Sequence, residues 1–388
     1  MRVLVATTAG AGHFAALVPF AAAIRDAGHA VRVAALASFA PAVRKAGFEH
    51  VPLADPPADE VGAVFATLPG LSMEEGNAAV IREVYGRIDA RAALPAMQAV
   101  VDQWRPDVIL RETTEFASYL VAERSGIPHA QAAISVASAE EFMLSVIDEP
   151  LRELGSEDGV AGLMAVPRLT LLPASIDDED ERTSRPTYRF RAPTTTDSHS
   201  QLPPDWWPDS RAPLVYVTFG SVAARLGFFP DFYRAVLAAL ADLPARMLLT
   251  LGEAGDPEDL RPLPSNVHVE RWWPQEQVMS HAAVMVSHGG FGTTLLGLGA
   301  GVPMVVIPLF AIDQYANARC IQAAGAGVAL ESGPAAASDV RSAVERVIDD
   351  GTYLEAARRV AGEIAHLPHP SECIAPLEAL VKSQDDSQ

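Results

Sequence analysis

An alternation of short apolar runs with longer stretches of helical spacing limits the fold of this chain more than any other feature. "RVLVAT" (2–7) reads as a buried strand, "GAGH" as a turn, and "FAALVPFAAAIRDAGH" (14–29) as a helix closed by Gly28. "AVRVAAL" (30–36) is the next strand. "PDVIL" (106–110), "TTEFASYLVAERSG" (113–126) and "IPHAQAA" (127–133) repeat the order strand, helix, strand. Strands that are apolar along their whole length are buried on both faces, and this requires a parallel sheet covered by helices. The predicted class is α/β. Residues 55–104 and 138–165 are helical but interrupted. They are expected to lie beside the sheet, where substrate contacts are built.

A chain of 388 residues exceeds one such core and points to two domains. Residues 177–213 are polar and rich in proline, and the alternation resumes after them with "LVYVTFG" (214–220), "ARMLLTLG", "VHVERW", "VMVSHGG" and "VPMVVIPL". The expected division is a first domain at 1–200, a linker at 201–213, a second domain at 214–366, and a last helix with a frayed tail at 367–388.

The formal net charge of −20 argues against nucleic acid as a partner, because affinity for a polyanion rests on clustered cations. Two cysteines, Cys320 and Cys373, are too few for a Cys-rich zinc site or a disulfide framework. No apolar stretch approaches the roughly 18 residues of a membrane span, and the first apolar run is too short for a signal peptide. A soluble, cytoplasmic protein with no membrane partner is expected; a homodimer is compatible with the sequence. "DED" (178–180) lies in a polar run and reads as a solvated loop rather than a metal site. No metal and no other cofactor is expected.

Chemistry concentrates at strand exits. "SHGGFGTT" (287–294) follows a buried strand and opens a helix. Glycines there bring backbone N–H groups close to a ligand, and the helix N-terminus adds positive potential, so phosphate is the natural ligand. His288, Thr293 and Thr294 add side-chain donors. Upstream, "RWWPQEQV" (271–278) offers a flat indole for a base and an amide for its edge. Downstream, "PLFAIDQYANA" (308–318) places Asp313 and Gln314 where they suit sugar hydroxyls. At the first strand exit, "TTAGAGHF" (7–14) fits G-x-G-x-x-A through Gly10, Gly12 and Ala15. The second strand, however, lacks the acidic residue that a dinucleotide site needs. His13 is the stronger feature, because a helix N-terminus favours the neutral imidazole and suits it to act as a base.

The ordered set W-x-PQ, HGG-x-G-T-T, GVP and P-x-x-x-DQ-x-x-NA resembles the nucleotide-sugar site of the family-one glycosyltransferases, and most closely the bacterial enzymes that glycosylate natural products. The resemblance is dense over 213–335 and looser over the first half. It implies a GT-B fold, two Rossmann-like domains facing a cleft, with the last helix crossing back to the first domain. It implies an inverting transfer from a nucleoside diphosphate sugar to a hydroxyl of a small hydrophobic aglycone, as in antibiotic biosynthesis. Carried over by position, Trp272 stacks on the base and Gln275 lies beside it. His288, with the amides of Gly290, Gly292 and Thr293, cradles the diphosphate. Ser221 lies near the diphosphate, and Asp313 and Gln314 bind the donor sugar. His13 deprotonates the acceptor, and Glu112, where the family usually has aspartate, is its partner; Glu115 is the alternative, as a helix cap or acceptor-site residue. Relatives that use UDP-sugars often have a glutamate for the ribose hydroxyls where this chain has Leu296. A 2′-hydroxyl left unpaired there costs on the order of 1–3 kcal/mol, so dTDP is expected over UDP. Two other readings share these features: a nucleotide-sugar 2-epimerase, and a non-catalytic auxiliary protein of a glycosyltransferase. The "DQ" pair and the His13 turn fit transfer better than the first, and the intact motif set argues against the second.

Overall fold

The computed structural model describes residues 1–178, 185–192, 202–203, 206–207, 211–252 and 254–385. Two compact units emerge. The first holds Met1–Leu172, Glu179–Arg191 and Leu367–Gln388; the second holds Pro173–Asp178 and Ala192–His366. The terminal segment thus belongs with the first unit, and Pro173–Asp178, expected in the first domain, belongs with the second.

Among the described residues, the first unit is built on strands β1 (Arg2–Ala6), β2 (Ala30–Leu36), β3 (Glu49–Leu53), β4 (Val108–Glu112), β5 (His129–Ala132), β6 (Arg168–Thr170) and β7 (Thr187–Arg189). They are ordered β3-β2-β1-β4-β5-β6-β7, and every pair is parallel. The second unit holds β8 (Leu214–Thr218), β9 (Arg246–Thr250), β10 (Val267–Glu270), β11 (Ala282–Ser287), β12 (Met304–Val306) and β13 (Gly327–Ala329). Their order is β10-β9-β8-β11-β12-β13, again parallel throughout. Val3, Leu4, Val5, Val108, Ile109 and Leu110 are wholly buried, as are Val215, Val217, Val284 and Val286 in the second sheet. In each sheet the chain order reverses beside the central strand, between β1 and β4 and between β8 and β11. Loops leaving two such neighbouring strands diverge to opposite faces, and the crevice they leave is where ligands bind in this architecture.

The short strands β3, β6 and β7 escape the sequence reading because they lack continuous apolar runs, and β13, though apolar, is only three residues long. Strand β3 contains Pro52, which an edge strand tolerates. Strand β7 lies within the polar stretch that begins at 177. Of the expected linker, the described Trp206 and Trp207 belong to the second unit. Trp207 is buried and donates from Nε1 to Met247 O at 3.0 Å. Two residues of the "DED" triplet lie outside the described residues.

Three helix boundaries also differ. The helix expected from residue 14 runs over Ala11–Asp26, so "GAGH" forms its cap and first turn; Phe14 N donates to Gly10 O at 3.0 Å. The helix expected over 113–126 begins at Ala117. Before it, the Glu112 carboxylate holds the Thr114 amide at 2.6 Å, and Glu115 takes the Ser118 amide at 3.0 Å, so 113–116 form a turn. The interrupted region resolves into Ala58–Thr67 and a continuous helical run through Met73–Ala79, the π-helical Val80–Asp89 and Ala90–Trp104. Pro95 sits inside that last segment.

Candidate functional site

The first unit brings His13 and Glu112 together at the β1 and β4 exits. His13 is the third residue of its helix, behind the cap Gly10. A Cβ on Gly10 would stand 2.8 Å from the ring, so glycine is what lets the imidazole fold back over the turn. Its Nδ1 lies 3.3 Å from Glu112 Oε1, 3.1 Å from Thr8 Oγ1 and 3.0 Å from Thr114 Oγ1. Both hydroxyls donate to Glu112, each at 2.9 Å. A hydroxyl has one hydrogen, so toward Nδ1 all three oxygens act as acceptors. The proton of the neutral ring therefore sits on Nδ1, and Nε2 is the basic nitrogen.

Glu112 is fully buried. Besides the two hydroxyls it accepts the Thr8 amide at 3.1 Å and the Thr114 amide at 2.6 Å. Burial pushes its carboxyl up, but the His13 charge and hydrogen bond and these two amides outweigh that and hold it at about 2. It is an anion across the physiological range, fixed by a cage of threonines. Neither Thr8 nor Thr114 is singled out by sequence reasoning, although the "TT" beside each exit is the signal that was there to be read. Glu115, three residues on, caps the helix Ala117–Ser125 through the Ser118 amide and hydroxyl. Burial, with a further push from Glu112, lifts its carboxyl to about 7 despite the Ser118 bonds. Beneath them a buried polar layer ties β4, β5 and β6 together. Arg111 donates to Gln131 Oε1 at 2.7 Å, and Arg168 to Glu140 Oε2 at 2.9 Å. The sequence hint is an arginine directly after the apolar "VIL" of this strand.

The second unit gathers the remaining expected residues around the β8, β10, β11 and β12 exits. Gly290 caps the helix Phe291–Ala300, and Thr294 N makes its first internal bond, to Gly290 O at 2.9 Å. The amides of Phe291, Gly292 and Thr293 precede that ladder and carry the positive end of the helix. Gly289 has φ +84°, and a Cβ there would stand 2.8 Å from Gln314 O and 2.8 Å from Val306 Cγ1. Asn317, whose role sequence reasoning missed, donates to Gly289 O at 2.8 Å and pins the loop. The His288 ring rests against Gly220 and Gly290, where added Cβ atoms would meet it at 2.8 Å and 2.5 Å. Burial lowers its pKa to about 4, so it is neutral near pH 7; its Nδ1 is buried and has no hydrogen-bond partner among the described residues. Such an orphaned polar atom beside unbonded helix amides fits an anionic group.

Of the two adjacent tryptophans, Trp272 is 65% exposed, whereas Trp273 packs edge-on against Trp206 at 4.8 Å. Trp272 is thus the indole available for stacking. Gln275 donates to Thr218 Oγ1 at 3.4 Å at the β8 exit, and Ser221 is exposed just beyond. Asp313 lies in the first turn of Ile312–Ala323. Gln314 turns inward; its Oε1 accepts the amides of Leu309 at 2.8 Å and Phe310 at 3.2 Å, so this carbonyl oxygen holds the loop. Leu296 is half-buried on the helix behind the cradle. Among the described residues no three His, Cys, Asp or Glu side chains gather to hold a metal ion, and no helix is long and apolar enough to cross a membrane.

Known proteins match both halves. Residues 22–183 match the family described as "Erythromycin biosynthesis protein CIII-like, N-terminal domain", and residues 234–380 its C-terminal domain. The chain is 31% identical to the elloramycin glycosyltransferase ElmGT of Streptomyces olivaceus, over 97% of each chain. It is 30% identical to the L-demethylnoviosyl transferase of Streptomyces niveus, over 96% of each. The glycosyltransferase SsfS6 of Streptomyces sp. SF2575, solved with thymidine diphosphate, superposes with a TM-score of 0.76 at 29% identity, covering 98% of this chain and 99% of that one. With its two doubly wound parallel sheets and its His-Gly-Gly cradle, the chain belongs to the EryCIII-like, family-one glycosyltransferases of GT-B fold, close to those of bacterial antibiotic pathways.

Proposed function

We propose that this glycosyltransferase moves a sugar from a dTDP-sugar to a hydroxyl of a hydrophobic natural-product aglycone, with inversion and without a metal, in the cytoplasm. One observation carries the reading: His13 Nδ1 faces Glu112 within a cage of threonine hydroxyls that already donate to that carboxylate. The arrangement orients Nε2 as a base and supports the imidazolium that forms when it takes a proton. His13 then removes the acceptor proton as the oxygen attacks the anomeric carbon in line. The diphosphate leaves from the opposite face. The amides of Gly292 and Thr293, the cap Gly290 and His288 stabilise the charge that builds on it. Trp272 stacks on the base, Gln275 and Ser221 flank the nucleotide, and Asp313 with the Gln314 amide holds the sugar. Leu296, which accepts no hydrogen bond, supports the deoxyribose, and the thymidine diphosphate complex of SsfS6 is in keeping with it. Glu112 does in this chain what aspartate does in the family.

The test combines binding and turnover, with EDTA present. Calorimetric titration is expected to give tight dTDP and weak UDP binding. His13→Ala is expected to lower turnover roughly 10²–10⁴-fold while leaving dTDP affinity unchanged. Tight UDP binding removes the Leu296 argument; full turnover in His13→Ala removes the base.

A further inference from the structure

Trp272 stands on the turn that leaves β10, and β10 is an edge strand, paired in its sheet with β9 alone. At 65% exposed, this indole has little to hold it but the backbone of its own turn. What fixes that backbone therefore fixes the face that Trp272 presents.

The support comes through the next residue. Trp273 packs edge-on against Trp206, with centroids 4.8 Å apart and planes at 76°. Its Nε1 is buried and has no hydrogen-bond partner among the described residues, so ring packing and not a polar anchor holds this side chain. Trp206 in turn lies flat on the His268 ring, at 3.9 Å and 10°. His268 belongs to β10 itself, and its Nε2 hydrogen-bonds Glu270 Oε1 at 2.9 Å, two residues on and so on the same face of the strand. Trp206 also meets Trp207 at 5.5 Å and 78°, and Trp207 is the buried residue tied to Met247 on β9. A residue from the stretch that reads as a linker is thus wedged between two strands of the second sheet and the turn carrying Trp272. Flat and edge-on ring contacts fix orientation as well as distance.

We propose that Trp206 is a positioning residue for the nucleotide base: by holding Trp273 against β10 it sets the turn on which Trp272 offers its indole for stacking. Trp206 touches no part of the ligand and acts through Trp272. The inference rests on the reading that Trp272 stacks on the base.

A double-mutant cycle tests this, read by calorimetric titration of the full-length protein with dTDP and needing no turnover. Trp272→Ala is expected to weaken binding roughly tenfold or more, the usual scale for a lost base stack. Trp206→Ala is expected to weaken it about threefold to tenfold. The double variant is expected to bind within about twofold of Trp272→Ala, because a residue that acts through Trp272 has nothing left to act on. Trp206→Phe keeps a ring on His268 and is expected to recover most of the loss. If the alanine variant does not fold, Trp206→Leu, which keeps apolar bulk without the ring, takes its place in the cycle. Unchanged affinity on losing Trp206, losses that add in the double variant, or a phenylalanine variant as weak as the alanine one overturns the proposal. Unchanged affinity in Trp272→Ala, or no dTDP binding at all, removes the base stack and this inference with it. The expected cycle in a protein that transfers no sugar counts against the proposed reaction and leaves the role of Trp206 standing.

Discussion

Glu112 and Glu115 stand three residues apart, both buried, and the fold drives their protons in opposite directions. Glu112 meets two amides, two hydroxyls and an imidazole, and its carboxyl sits at about 2. Glu115 has the Ser118 bonds and the charge of Arg111 to set against its burial and the repulsion of Glu112; burial wins, and it sits at about 7. Unfolded, both return to about 4.5. Glu112 therefore contributes stability that is present above about pH 4.5 and is lost as pH falls toward 2. Glu115 does the reverse. Between about pH 4.5 and 7 its folded form holds a proton that the unfolded chain has released, so stability falls as pH rises through that window. The shift corresponds to roughly 3 kcal/mol, and Asp89, raised to about 6, adds a slope of the same sign. Glu115→Gln keeps an acceptor for the Ser118 amide and cannot ionise. Urea denaturation at pH 4.5 and 7.5 is expected to show a clear loss of stability in the unmodified protein and a loss smaller by about that amount in the variant. Parallel behaviour of the two would mean that Glu115 ionises freely in the folded state.

At the scale of elements, the glycine loop between β11 and its helix works through backbone geometry, so its side-chain tolerance is uneven. Gly289 combines φ +84° with a Cβ position that collides with Gln314 O and Val306 Cγ1 at 2.8 Å. Gly299, on the same helix, has open space at that position and ordinary helical geometry. Gly289→Ala forces the loop to move, at a strain of about 1–3 kcal/mol, and is expected to weaken nucleotide binding at least tenfold. Gly299→Ala is expected to leave binding unchanged and to stabilise the helix by up to about 1 kcal/mol. Equal effects of the two on dTDP titration would show that the cradle does not depend on the shape of this turn. The same contrast explains what the sequence disclosed. Long apolar strands and the Gly-rich exits were legible because both are written in residue type. So were the positions of His13, Glu112, His288 and Trp272. Strands β3, β6 and β7 were not, because two short strands with polar residues and one carrying the buried Arg168 lack the apolar signature, and β13, though apolar, is too short to show one. Nor were the threonines around Glu112, Asn317 behind Gly289, or the inward turn of Gln314. Those depend on which side chains the sheet order sets side by side, and local sequence does not encode that order.

Across the whole molecule, chain order and unit membership part company at the end. Residues Leu367–Gln388 return to the first unit, after the second unit is complete at His366. The return is anchored by a bond from Arg191 N to Pro368 O at 2.9 Å and by Cys373 and Leu377, both fully buried. The helix Ile374–Asp385 follows from the turn at Pro370–Cys373. The unit carrying His13 and Glu112 therefore depends on a segment that follows the second unit in the sequence, whereas the residues of the glycine cradle and of the tryptophan exit lie in a unit that does not contain it. Leu377→Ala separates the two dependences. Truncating a fully buried leucine typically costs about 2–5 kcal/mol, and that loss is expected in the unfolding of the first unit. The dTDP affinity of the second unit is expected to stay within about twofold of the unmodified protein, since no residue of its cradle is touched. Denaturation followed by circular dichroism, with calorimetric dTDP titration of the same samples, checks both. If nucleotide affinity falls along with stability, the C-terminal helix supports the glycine cradle as well as the His13 corner, and the two units are not energetically separate.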